Sequence, residues 1–168
     1  MMHAEDVVEV VDLLEDAGIA VWVDGGWGID ALIGEQSRPH DDLDVVIDIQ
    51  QVAEAITWME ACGFTLHQDQ RPTAFVLRDA LDRRVDVHPV RFAVDGSGSQ
   101  AQPDGSMFRY SPEGLSGTGT IGDRPVRCLS AGFQVTCHLS YEPDDGDFHD
   151  MHLLRDRLGV KLPSPYDT

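Results

Sequence analysis

Apolar residues recur every three to four positions over 5–17, where Val7, Val10, Val11 and Leu14 fall on one face and Gly18 supplies a stop, so this segment predicts an amphipathic helix. The run "IAVWV" at 19–23 breaks that period and predicts a short buried strand. Gly25 and Gly26 read as a turn, and "WGIDALI" as a short helix closed by Gly34. "EQSRPHD" is a polar loop, because Pro39 cannot sit inside a strand. "DLDVVIDI" has a strand's composition. "QQVAEAITWMEACG" returns to helical spacing, with Val52, Ala55, Ile56 and Met59 inward and Gly63 at its end.

Strands are expected next at 64–68, 73–78 and 84–90, the last two joined through "DALDR" as a hairpin. Residues 95–106, "DGSGSQAQPDGS", are the one low-complexity stretch and predict a flexible loop. "GTGTIGDRPVRCLS" predicts a hairpin turning at "GDRP". Ser130 is placed to cap a helix over 131–139. A last helix is expected over 147–158, with Asp147 near its N-cap and Met151, Leu154 and Leu158 on one face. Trp22, Trp27 and Trp58 are expected in the core, and no internal repeat is visible.

The length of 168 residues is enough for one domain with a substantial core. No apolar run reaches the roughly 18 residues of a membrane span. The first residues carry acids where a leader peptide needs bases, so a cytoplasmic protein is expected. Cys62, Cys128 and Cys137 are odd in number and lack a zinc spacing, which fits reduced, buried thiols. A net charge of −18 argues against nucleic acid as a partner, since phosphate must be neutralised by Lys and Arg. It is compatible with a cationic small molecule, and more simply with solubility or a generally acidic set of proteins.

The chemistry gathers in 25–48. Side chains two apart in a strand share a face, so Asp42 and Asp44 project together and Leu43 and Val45 project oppositely. Paired carboxylates repel unless a cation lies between them, and hard divalent cations favour such oxygen sites. In "RRVDVHPV", Asp86 stands between Val85 and Val87, a costly place for an acid without a partner or a task. If its strand lies beside 42–48, three carboxylates converge, enough for two metal ions about 3.5–4 Å apart. The Gly25–Gly26 turn would bring backbone N–H groups and a helix N-terminus to an anion on the other side. Each element has a bland alternative: a plain turn, a solvated strand edge, or an Asp86 paired with Arg83, Arg84 or Arg91. Their order and spacing together favour a nucleotide–metal site.

With its glycine pair before a short helix, an Asp-x-Asp strand and a later apolar-flanked Asp, the chain resembles the DNA polymerase β-like nucleotidyltransferase superfamily. "DGGWGIDALIGEQSRPHDDLDV", "RRVDVHPV" and "GDRPVRCLSAGFQVTCHLSYEPDDGDFHDMHLL" resemble most the short lincosamide nucleotidyltransferases, with the aminoglycoside nucleotidyltransferases next. In "HLSY" a serine stands where that group has glycine before the tyrosine. The resemblance implies an α+β nucleotidyltransferase fold: a mixed, mostly antiparallel sheet flanked by helices, with a short helical C-terminal region. One domain is expected, its catalytic core at about 1–92 and an acceptor-pocket part at 93–168.

The resemblance further implies that Asp42 and Asp44 are Mg²⁺ ligands, and that Asp86 is a ligand, a general base, or both. Gly25, Gly26, Arg38 and His40 would contact the nucleotide. His88, His138, Tyr141 and Glu142 are weaker candidates for the acceptor pocket. The implied reaction moves a nucleoside monophosphate, AMP from ATP, to a lincosamide hydroxyl, using two Mg²⁺ ions and releasing pyrophosphate. A homodimer could complete the drug pocket. Two other readings stand beside this one: transfer to an aminoglycoside, and a non-catalytic, antitoxin-like binding module of the same fold.

Overall fold

Alternation along the central strands separates two chemistries. Val23, Leu43, Val45, Ile47, Val85 and Val87 enter one continuous apolar core, while Asp24, Asp44 and Asp86 occupy the intervening positions. The structure, a computed structural model, describes residues 1–167. The chain runs α1 (Ala4–Asp16), β1 (Trp22–Asp24), α2 (Gly25–Ile33), β2 (Leu43–Asp48), α3 (Val52–Ala61), β3 (Thr65–Gln70), β4 (Ala74–Arg78) and β5 (Arg84–Phe92). It continues through β6 (Gly98–Ala101), β7 (Met107–Tyr110), β8 (Gly117–Ile121), β9 (Arg124–Cys128), α4 (Ala131–Cys137) and α5 (Asp145–Leu158).

The strands form one sheet in the order β3-β4-β5-β2-β1-β9-β8, and the β6–β7 hairpin joins it through β5. β2 is parallel to β5 and β1 to β9; the other pairs are antiparallel. This is the expected mixed, mostly antiparallel sheet flanked by helices. Helices α1 and α3 cover one face, with Val7, Val10, Val11 and Leu14 of α1 meeting Ala55 and Met59 of α3 above the strand valines. On the other face Val46, Val90, Tyr110, Leu129 and Phe133 form a second cluster. A third, of Ile29, Val135, Met151, Leu154 and Tyr166, binds α2, α4 and α5 together. No helix among the described residues is long and apolar enough to cross a membrane.

Several local expectations change. The stretch 95–106 is not a loop throughout, because β6 forms within it and pairs with β5 and β7. Its composition hides an inward face made of Gly98 and Gln100. Gly98 is required there, since a Cβ would stand 2.5 Å from Val90 Cγ1. Trp58 is exposed rather than core, lying on the outer face of α3. Leu158 is also exposed, at the last turn of α5. That helix starts earlier than expected: Asp144 is its N-cap and forms a reciprocal capping box with Asp147. The three cysteines are free, as expected; Cys128 is buried, and Cys62 and Cys137 are partly covered.

Candidate active site

Strand register assembles the acids. Asp44 of β2 lies opposite Asp86 of the parallel strand β5, and opposite Asp24 of the antiparallel strand β1. The three carboxylates form a row across adjacent strands, on the face away from α1 and α3. Asp42 stands just before β2, about two-fifths exposed, with Arg84 Nη2 3.9 Å from its Oδ2. Asp44, Asp86 and His88 each offer one ligand atom, all within 4.8 Å of one another. Asp86 Oδ1 is buried without a hydrogen-bond partner. An orphaned acceptor beside a second carboxylate and an imidazole fits a bound divalent cation, which would satisfy it.

Repulsion among the carboxylates points the same way. Burial pushes the Asp86 carboxyl upward, with repulsion from Asp44 and Asp42 adding to it and His88 and Arg84 opposing. Burial also raises Asp42, again with Asp44 adding. Asp24 is raised by burial and by Asp44, against His88 and the Gly25 N–H. For His88 burial acts downward, but the hydrogen bond to Asp44 and the charges of Asp44, Asp24 and Asp86 prevail, and its pKa is raised to about 9. His88 Nε2 lies 3.2 Å from Asp44 Oδ1. On the ring's other side Gln100 Nε2 lies 3.2 Å from Nδ1 and donates to Thr73 O at 2.8 Å, while Tyr110 Oη donates to Gln100 Oε1 at 2.8 Å. The hairpin that the sequence hides therefore braces the metal-side histidine.

Glycine is required where α2 begins. Gly25 has φ +58°, and a Cβ there would sit 2.4 Å from Asp44 Oδ2. At Gly26 a Cβ would stand 2.4 Å from the His40 ring and 2.9 Å from Arg38 Nη2. Both glycines belong to the first turn of α2, and the Gly25 N–H is taken by Asp24 Oδ1 at 2.7 Å.

Arg38 and His40 are held rigidly. The Arg38 guanidinium donates to Asp150 Oδ1 at 2.8 Å and Oδ2 at 2.6 Å, a two-pronged pair with a buried carboxylate on α5. His40 Nε2 lies 2.5 Å from Asp30 Oδ2, and Asp30 Oδ1 accepts from the Ser37 N–H and hydroxyl.

Two cavities meet at this acid row. The smaller, about 170 Å³, is walled by Gly26, Arg38, His40, Asp42 and Asp150 among others. The larger, about 360 Å³, includes Asp24, Thr73, His88, Phe108, Tyr110 and Cys137. They share Gly25, Asp44, His138 and Tyr141. His138 is fixed by its Nδ1, 2.7 Å from Gln134 O, while Tyr141 Oη donates to Asp147 Oδ1 at 2.9 Å. Glu142 is exposed and lines neither cavity.

Of the residues singled out in the sequence, all but Asp86 and Glu142 therefore line one cavity or both, and Asp86 stands one strand away behind Asp44. Sequence reasoning missed Asp24, Asp150 and Gln100. Asp24 had one available signal, its place immediately before the glycine pair. Asp150 and Gln100 had none, because their partners are 112 and 10 or more residues away.

The chain is similar to known proteins over most of its length. A family model described as aminoglycoside-2''-adenylyltransferase matches residues 6–154. A lincosamide resistance protein of Staphylococcus haemolyticus is 30% identical over 151 residues, covering 90% of this chain and 93% of that protein. A 2''-aminoglycoside nucleotidyltransferase of Klebsiella pneumoniae is 29% identical over 122 residues, covering 73% of this chain and 64% of that protein. The crystal structure of the lincosamide antibiotic adenylyltransferase LnuA, with lincomycin bound, superposes with a TM-score of 0.81 at 30% identity, over 90% of this chain and 95% of that one.

Proposed function

We propose a lincosamide hydroxyl as the acceptor for this chain, which belongs to the aminoglycoside-2''-adenylyltransferase family. The chain is a nucleotidyltransferase of the antibiotic-resistance type. The lincosamide reading is supported by likeness over nine-tenths of the chain to a protein solved with lincomycin. The family's own name favours a second acceptor class, an aminoglycoside. The matching relative of that kind shares less of its length, 64%, against 93% for the lincosamide resistance protein. The complete acid set argues against a non-catalytic module.

The observation that carries the mechanism is the in-register pair Asp44–Asp86, whose Asp44 lines both cavities while Asp86 stands beside it on the next strand. The smaller, arginine-bearing cavity takes the triphosphate of ATP, with Arg38 aimed by Asp150. The larger, partly aromatic cavity takes the drug. The acceptor oxygen attacks the α-phosphorus as the bond to the pyrophosphate oxygen breaks, so positioning by the two cavities supplies much of the rate. Asp86, its carboxyl raised by burial and by neighbouring acids, receives the hydroxyl proton. Asp42, Asp44 and Asp86 would hold Mg²⁺, which supplies neutralisation of the phosphate charge. His88 braces Asp44, and Gly25 leaves room for that carboxylate.

The cavity walls combine residues from before and after position 92, which supports one domain with a C-terminal contribution to the acceptor pocket. Cytoplasmic residence, a homodimer and the absence of nucleic-acid binding complete the proposal; the net charge of −18 supports the last. Pyrophosphate release with Mg²⁺ and ATP, assayed against lincomycin, clindamycin and tobramycin, tests it. Release with the lincosamides and not tobramycin is expected. Release with tobramycin alone would transfer the proposal to aminoglycosides, and release with none would remove the catalytic reading.

A further inference from the structure

Asp24 has no role in the mechanism above, yet it stands in the same row as Asp44 and Asp86. Its surroundings differ from theirs. Asp44, Asp86 and His88 each offer a ligand atom within 4.8 Å of one another, and Asp24 lies outside that cluster. Asp24 lines the larger cavity but not the smaller one. Its Oδ1 accepts the Gly25 N–H, and among the described residues no hydrogen bond uses its Oδ2. The same wall carries Asp44 as the other acid, the imidazoles of His88 and His138, and the uncharged Thr73, Phe108, Tyr110 and Cys137; the charge of His88 acts on Asp24, but no hydrogen bond among the described residues joins them.

Directly opposed residues on antiparallel strands have Cα atoms about 4.5–5.5 Å apart. Two carboxylates at that spacing can receive two neighbouring oxygens of one ring, one at the phosphate-transfer point beside Asp44 and the next beside Asp24. An acceptor with an isolated hydroxyl would leave Asp24 desolvated and unmatched at the cavity wall, which is the costly outcome for a carboxylate. We propose that Asp24 is an acceptor-binding residue, whose Oδ2 receives a hydrogen bond from the hydroxyl adjacent to the one that attacks, and that the acceptor class is therefore a vicinal diol. The proposal rests on the transferase reading above and adds to it the part of the drug that is recognised.

Asp24 is also the N-cap of α2, a structural role that must be separated from binding. Asparagine and serine cap about as well as aspartate, so Asp24→Asn and Asp24→Ser retain the cap and remove the charge. Lincomycin is titrated calorimetrically into wild type and both variants, each loaded with Mg²⁺ and a non-hydrolysable ATP analogue, and KM is measured for ATP and for lincomycin. Lincomycin binding is expected to weaken about tenfold or more in both variants, as for loss of a charge-assisted hydrogen bond, with the ATP KM moving by no more than about twofold. A deoxy-lincosamide lacking the adjacent hydroxyl should bind wild type about tenfold more weakly, with no further loss in the variants.

Unchanged lincomycin affinity in either folded variant overturns the proposal. So does an ATP KM that rises as much as the lincomycin KM, or a loss from the deoxy-lincosamide that adds to that of the substitution. If neither variant folds, the wild-type comparison decides alone: equal affinity for lincomycin and its deoxy analogue overturns the proposal, and weaker binding of the analogue upholds it. Wild-type turnover with unaltered variants removes this inference and leaves the transferase reading. Wild type that binds the nucleotide analogue but neither lincosamide removes this inference together with the lincosamide acceptor.

Discussion

Asp44 and Asp86 stand opposite one another on adjacent parallel strands, and the buried Oδ1 of Asp86 has no hydrogen-bond partner. Such a pair repels itself in the metal-free protein. Asp44→Asn removes that repulsion together with the ion pair to His88, and is expected to lower nucleotidyl transfer about a hundredfold or more. Scanning calorimetry with and without Mg²⁺ checks that metal binding is what is lost. Mg²⁺ should raise the wild-type midpoint and leave that of Asp44→Asn unmoved. Equal Mg²⁺ stabilisation of the two proteins would count against these ligands.

Gly25 and Gly132 make a matched pair of glycine tests. Gly25 combines φ +58° with a Cβ position 2.4 Å from Asp44 Oδ2, whereas Gly132, near the start of α4, has nothing within 4 Å. Gly25→Ala should destabilise by about 1–3 kcal/mol and displace the Asp44 carboxylate, with turnover lost. Gly132→Ala should stabilise by about 0.5–1 kcal/mol and leave turnover intact. Urea unfolding of the two variants gives both numbers.

Asp150 aims Arg38 from a helix 112 residues away. Hydrogen bonding to Asp150, opposed by burial, raises the Arg38 pKa further, so the guanidinium stays charged. Asp150→Asn should cost about 1–3 kcal/mol of stability and raise the ATP KM several-fold, with the lincomycin KM unchanged. Arg38→Lys should fail to restore the wild-type ATP KM, because an ammonium cannot make the two-pronged contact. Steady-state kinetics with each substrate varied in turn checks both.

Acid sensitivity should be traceable to the β4–β5 turn. Burial acts upward on Asp79, but the N–H groups of Arg83 and Leu81 and the Arg83 guanidinium outweigh it and lower its pKa. A depressed native carboxyl contributes stability that is fully present above the unfolded value of about 3.9 and is lost as pH falls through the native value. Urea midpoints should therefore drop below about pH 4. Asp79→Asn should be less stable at pH 7 and show a shallower acid loss; curves that run parallel to wild type would contradict this.

Much of this could be read from the sequence because its signals are local. The period of α1, the alternation in β2 and β5, and the Asp-x-Asp and apolar-flanked Asp motifs all sit within a few residues. Register supplied the remaining step: that Asp86 shares a face with Asp44 follows once β2 and β5 pair in parallel. What escaped depends on distant partners. Gln100 has no strand-forming neighbours in "GSGSQAQPDG", and its purpose emerges only when β6 carries it to His88 and Thr73. Asp150 is one acid among several in "EPDDGDFHD", and its partner is found only when α5 packs beside Arg38. Trp58 was misplaced because an aromatic in an apolar helix reads as core unless its angular position is compared with Ala55 and Met59.

The most direct measurement follows ATP by phosphorus NMR in the presence of Mg²⁺ and lincomycin. With wild type, a phosphodiester resonance from the adenylylated drug should grow in step with pyrophosphate, and neither should form with Asp44→Asn. Pyrophosphate that forms at the same rate without the drug, or a product signal undiminished in Asp44→Asn, would contradict nucleotidyl transfer at this row of acids.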